Sequence, residues 1–111
     1  MTDKELLELA AHVCGYELAG YDGKVSDWLR YISDIGAIKY WNPLEDDGDA
    51  LRLAVKLRIR FEIHHSEKFV AAFHNDLFKK IEEEAVNLNI YAATRRAIVR
   101  AAAEIGIGSD V

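Results

Sequence analysis

The chain has one cysteine and one proline, no excess of basic charge, and no apolar run long enough to span a bilayer. A lone thiol, Cys14, cannot close an internal disulfide, and no metal-ligating residue sits beside it at a useful spacing. It falls on an apolar helix face, which points to a buried, inert side chain. The scarcity of proline, with two tryptophans, four phenylalanines and five tyrosines, excludes a disordered chain. Without a membrane-length stretch no membrane partner is expected. The acidic start MTDKELLELA also lacks the basic region of a secretory signal, so a cytoplasmic location is expected. With 14 basic against 19 acidic residues the net charge is -5. That argues against a general nucleic-acid coat and leaves room for a local basic patch. The glycines at 106 and 108 follow a helix instead of opening one, so no phosphate cradle and no cofactor site is read. No Ser or Cys sits in a nucleophile elbow, and no catalytic residue is assigned.

What is present is the material for one domain over residues 1–111, large enough to bury a core without staples. The stretch YAATRRAIVRAAAEIGI (residues 91–107) organises it. Its alanines favour helix, Asn89 is placed to cap it, and Ile98, Ala101, Ala102 and Ile105 follow the helical period. Gly106 is expected to stop it. A face of methyl groups predicts close approach to a sheet.

Residues 3–14 form a first helix, capped by Thr2 or Asp3 and ended by Gly15, with Leu6, Leu9, Ala10 and Val13 inward. Residues 17–21 read as extended, before a turn at Asp22 and Gly23. Residues 25–33 fit a short helix capped by Ser26, burying Trp28, Leu29 and Ile32. Residues 34–41 are strand-like or irregular, and 42–48 form a loop around Pro43 and several acids. A second helix over 49–57 is expected to turn Leu51, Ala54 and Val55 inward and Arg52, Lys56 and Arg58 to water. Residues 59–65 alternate as a strand, and a tight turn at 65–68 returns the chain into FVAAFH (69–74). Residues 77–86 carry two patterns. Periodicity tilts to a helix with Phe78, Ile81 and Ala85 inward; a charged edge strand is the alternative. The order predicts an α+β fold with a small antiparallel sheet covered by helices on both faces, an α/β/α sandwich.

Two segments, WNPLEDDGDALRLAVKL (41–57) and YAATRRAIVRAAAEIG (91–106), resemble the phage ABA-sandwich family of small bacteriophage and prophage proteins. Trp41 and Pro43 match its W-x-P element, and residues 47–49 match the turn before a helix. Ala92, Ala93, Arg95, Arg96 and Ala97 match its closing helix. The resemblance covers most of 1–15 loosely and 41–106 better, and it leaves about 16–40 as a variable, insertion-like region. It implies a strand at 79–86 and a bacterial host cell, and it supplies no established activity.

Candidate sites follow from charge and aromatic groupings. His64 and His65 are adjacent, so on a strand they face opposite ways; His74 could join one of them, and a third ligand is missing. Ordinary strand histidines and no metal are expected. Glu45, Asp46, Asp47 and Asp49 fit no calcium-loop spacing and read as caps and loop solvation. Arg95, Arg96 and Arg100 form a stripe that could meet phosphates or an acidic protein surface, or else pair with the acidic loop or with residues 82–84. Trp28, Tyr31, Tyr40 and Trp41 could form an aromatic contact patch or enter the core. The expectation is a phage-type accessory protein that binds a host or phage protein through residues 16–40 or the arginine face. Homo-oligomerisation through a sheet edge is compatible with it. Nucleic-acid binding by Arg95, Arg96 and Arg100 comes second, and a small metal-dependent hydrolase third.

Overall fold

Local chemistry sets the helix ends in the computed structural model, which describes residues 1–21, 29–32 and 35–109. Helix α1 (Asp3–Val13) opens with a reciprocal cap. Thr2 Oγ1 accepts from the Glu5 N–H at 3.1 Å, and the Glu5 carboxylate accepts from the Thr2 N–H at 3.3 Å. Gly15, at φ +75, then turns the chain away. Helix α2 (Asp47–Leu57) is capped by Asp46, whose carboxylate accepts from the Asp49 N–H at 2.8 Å. Helix α3 (Ile90–Ser109) is capped by Asn89, which accepts from the Ala92 N–H at 3.0 Å.

The remaining elements form two antiparallel sheets. Strands β1 (Glu17–Tyr21), β2 (Leu29–Ile32) and β3 (Ile38–Trp41) make the first, in that order. Strands β4 (Arg60–His64), β5 (Phe69–Phe73) and β6 (Ile81–Glu84) make the second. A 3-10 turn, Val86–Leu88, leads into α3. The class is α+β, as the sequence predicts, but the strands divide between two sheets instead of one. Among the described residues helix packs on one face of β4–β5–β6, not on both.

Three local expectations change. Residues 29–32 are a strand where a short helix was expected: Tyr31 pairs with Leu18 on one side and Lys39 on the other. Those partners are distant in sequence, and they override a weak helical period. The turn at Asp22 and Gly23, the cap Ser26, and Trp28 lie outside the described residues. Of the two patterns carried by residues 77–86, the charged edge strand forms, over 81–84, in place of the helix to which periodicity tilts, with Ile81 opposite Ala72 and Glu83 opposite Val70. Gly106 does not stop α3. The helix continues to Ser109, and buried Gly106 lies where α3 touches α1.

α3 lies along one face of β4–β5–β6, and α1 and α2 pack on α3. Asp3 meets Arg96 at one end of the contact, and Leu9 and Val13 meet Gly106 at the other, so α1 and α3 run in the same direction. Small residues let these elements come close: Ala10 and Ala11 on α1, and Ala97, Ala101, Ala102 and Ala103 around α3, are all buried. Ala72 on β5 is also fully buried, on the sheet face that carries Phe61 and Ile81. The sheet's other face presents Arg60, Glu62, Glu82 and Glu84, all exposed.

The rotation of α2 also differs from expectation. Ala50, Leu53 and Ala54 are buried, whereas Leu51 and Val55 are 56% and 70% exposed. Asp49 explains the turn. Its carboxylate, nearly buried, accepts from the Asn42 N–H at 3.0 Å and from Arg52 at 2.8 Å. Holding Asp49 inward brings 50, 53 and 54 with it at helical spacing and swings 51 and 55 outward.

Candidate functional site

The three arginines singled out by sequence each hold an acid. Arg95 Nη1 lies 2.6 Å from Asp47, and its Nε donates to the Leu44 carbonyl at 2.8 Å. Arg96 reaches Asp3 at 2.9 Å and Glu83 at 3.6 Å. Arg100 meets Glu83 at 2.7 Å and donates to the Glu82 carbonyl at 2.8 Å. The stripe therefore pins α3 to the α2 loop, to α1 and to β6. Such pairs are partly exposed and each contributes modestly, but their placement fixes how the elements are stacked. Of the two readings of these arginines, ion pairing with the acidic loop and residues 82–84 is what the geometry contains.

The aromatic group disperses. Trp41 is 2% exposed and belongs to the core. Tyr31 is half-buried, stacked on Tyr16 at 4.3 Å, and Tyr16 meets Trp41 edge-on at 5.5 Å. Lys56 Nζ lies 4.8 Å over the Tyr16 ring. Tyr40 is exposed. Tyr16, Tyr31, Trp41 and Lys56 thus join the first sheet to α2, while Trp28 lies outside the described residues.

The histidines and acids are similarly employed. His64 stacks on Phe69 at 4.3 Å with Nε2 3.5 Å from Glu62, and His74 Nδ1 accepts from the Asp76 N–H at 3.0 Å. Among the described residues no three His, Cys, Asp or Glu side chains gather as a metal site. Asp46 caps, Asp47 pairs with Arg95, and Asp49 holds the Asn42 backbone. Cys14 is buried, and desolvation pushes its thiol up to about 11.

One concavity is distinctly apolar. It opens between α2, β4 and the first turns of α3, with a volume of about 340 Å³. Ala50, Phe61 and Ile98 form its inner wall, and Leu51, Ile63 and Tyr91 stand around it. Leu51 and Tyr91 are 56% and 72% exposed, and Ile63 39%. The polar boundary is the Asp47–Arg95 pair and His65. The chain matches no known protein family, curated protein or solved structure. Chemically, this cleft offers apolar surface beside a strand edge, which suits a polypeptide guest more than a reacting small molecule. Sequence periodicity placed Leu51 inward and so hid the cleft. The available signal was the small pair Ala50 and Ala54 one turn apart, which marks the side of α2 that approaches another helix.

A second concavity, about 350 Å³, lies near the outer face of the same sheet, among Arg58, Arg60, Phe73, Phe78, Lys79 and Lys80. Arg60 lies 4.8 Å over the Phe73 ring and Lys80 pairs with Glu82 at 3.1 Å.

Proposed function

We propose that the protein is an accessory binding module of the kind bacteriophages and prophages encode, acting by docking another protein chain, host- or phage-encoded, in the α2–β4–α3 cleft. The observation that supports this is the set of large apolar side chains, Leu51, Ile63 and Tyr91, exposed around an apolar hollow. Contiguous exposed apolar surface rimmed by polar groups is typical of protein contacts. The guest that fits is an extended segment, because β4 offers main-chain donors and acceptors and its inner row offers apolar contact to alternate side chains. The phage origin is carried by the likeness of residues 41–57 and 91–106 to the ABA-sandwich family. Nucleic-acid binding through Arg95, Arg96 and Arg100 has less support, since all three guanidinium groups already hold carboxylates.

The test is affinity capture from a bacterial host lysate with the wild-type chain and with a Leu51→Glu/Ile63→Glu variant, whose fold is checked by circular dichroism. A protein retained by the first and lost by the second is the expected result. Identical capture by both overturns the assignment of the cleft.

A further inference from the structure

The sheet β4–β5–β6 ends in two edge strands that are protected differently. On β6, Glu83 points to the helix side, where Arg96 and Arg100 hold it. An inward charge on an edge strand obliges any added strand to cover a carboxylate, which discourages pairing there. On β4 the equivalent row is Phe61 and Ile63, continued by Ile59 just before the strand, with no charge in it. Among the described residues β4 pairs with β5 alone, and Leu51 and Tyr91 stand exposed beside its helix-side row. The open edge is β4.

The outer row of β4 indicates what fits against it. Arg60 and Glu62 are both exposed and two residues apart, so they share that face. Consider a second β4 laid antiparallel about a two-fold axis through Phe61. Arg60 of each copy then faces Glu62 of the other. On the helix side Phe61 faces Phe61, and Ile59 faces Ile63 twice. Moving the axis to Glu62 sets two carboxylates opposite each other, and moving it to Arg60 sets two guanidinium groups opposite. Facing opposite charges stabilise a strand pair and facing like charges weaken it. A slip to odd register would turn one copy's apolar row onto the other's charged face.

We infer that the open edge of β4 pairs with β4 of a second copy of this chain in the register centred on Phe61, joining two three-stranded sheets into one. The inference rests on the cleft being a protein-docking surface and names its occupant. The contact is isologous, so it closes at two copies and leaves each β6 edge, with its inward Glu83, at the outside.

The experiment is size-exclusion chromatography with light scattering over a dilution series, on the wild type, Arg60→Glu, Glu62→Arg and the double exchange Arg60→Glu/Glu62→Arg. The wild type is expected at twice the chain mass of 12.5 kDa. Each single reversal sets like charges face to face twice and weakens dimerisation about tenfold or more. The double exchange restores complementarity and recovers the dimer. All four residue states lie on an exposed face, so circular dichroism should be unchanged. A wild type that stays monomeric throughout overturns the second copy as occupant, while the lysate capture with Leu51→Glu/Ile63→Glu still decides the docking surface separately. A dimer indifferent to the single reversals, or one that the double exchange fails to restore, overturns the register and the edge.

Discussion

A side-chain carbon placed on Gly106 would lie 2.8 Å from Cγ2 of Val13 and 3.0 Å from the carbonyl oxygen of Leu9. α1 and α3 thus touch at a separation that only a missing side chain allows. Gly106→Ala should improve helix propensity by about 1 kcal/mol and lose more than that to overlap. A net destabilisation of about 1–2 kcal/mol is expected from urea unfolding. Higher stability would show that α1 moves aside freely.

Asp49 gives a sharper pair of variants. Asp49→Ala leaves the Asn42 N–H without its 3.0 Å acceptor in a buried setting, which should cost about 2 kcal/mol. Asp49→Asn retains an acceptor oxygen and should cost distinctly less. Equal losses in the two denaturation curves would assign the effect to the Arg52 contact instead.

Replacing Arg95, Arg96 and Arg100 together by alanine should lower the unfolding midpoint, because three connections from α3 are removed. Retention on immobilised DNA should not change. Loss of retention with unaltered stability would return the arginine face to a nucleic-acid role.

Alkaline pH should expose the buried thiol. Burial raises Cys14 from 9.0 to about 11, so the folded state holds its proton more tightly than the unfolded state does. The stability this contributes is complete below pH 9 and is lost as pH rises through 11. Wild type should therefore weaken more than Cys14→Ala over that interval in urea titrations. At pH 8 native Cys14 should resist iodoacetamide until denaturant is added. Burial also raises Tyr16 from 10.0 to about 12, so both proteins should share a decline that begins above pH 10 and runs through 12.

The parts legible in sequence were those decided by near neighbours. Thr2 with Glu5, Asn89 with Ala92, and the turn at residues 65–68 follow from side chains a few positions apart. The strand at 29–32 was hidden because its partners lie in β1 and β3, and periodicity over four residues cannot weigh them. In α2 the apolar pattern allowed more than one inward face. The choice among them was made by Asp49 reaching back to Asn42, a polar contact no hydrophobic count registers. The cleft inherits that choice, since Leu51 flanks it only because α2 is turned. For the arginines, the acids that claim them were visible, and only the assembled elements could bring Glu83 within reach of two at once.

α3 follows every element that leans on it. Asp3 finds Arg96 only after 93 further residues have been synthesised, and β6 waits for Arg100 in the same way. A nascent chain emerging from the ribosome therefore carries α1, α2 and β4–β6 with their apolar sides uncovered until residues 90–109 arrive. Chains arrested before that point should bind chaperones and yield readily to proteases, and release of the last helix should end both at once.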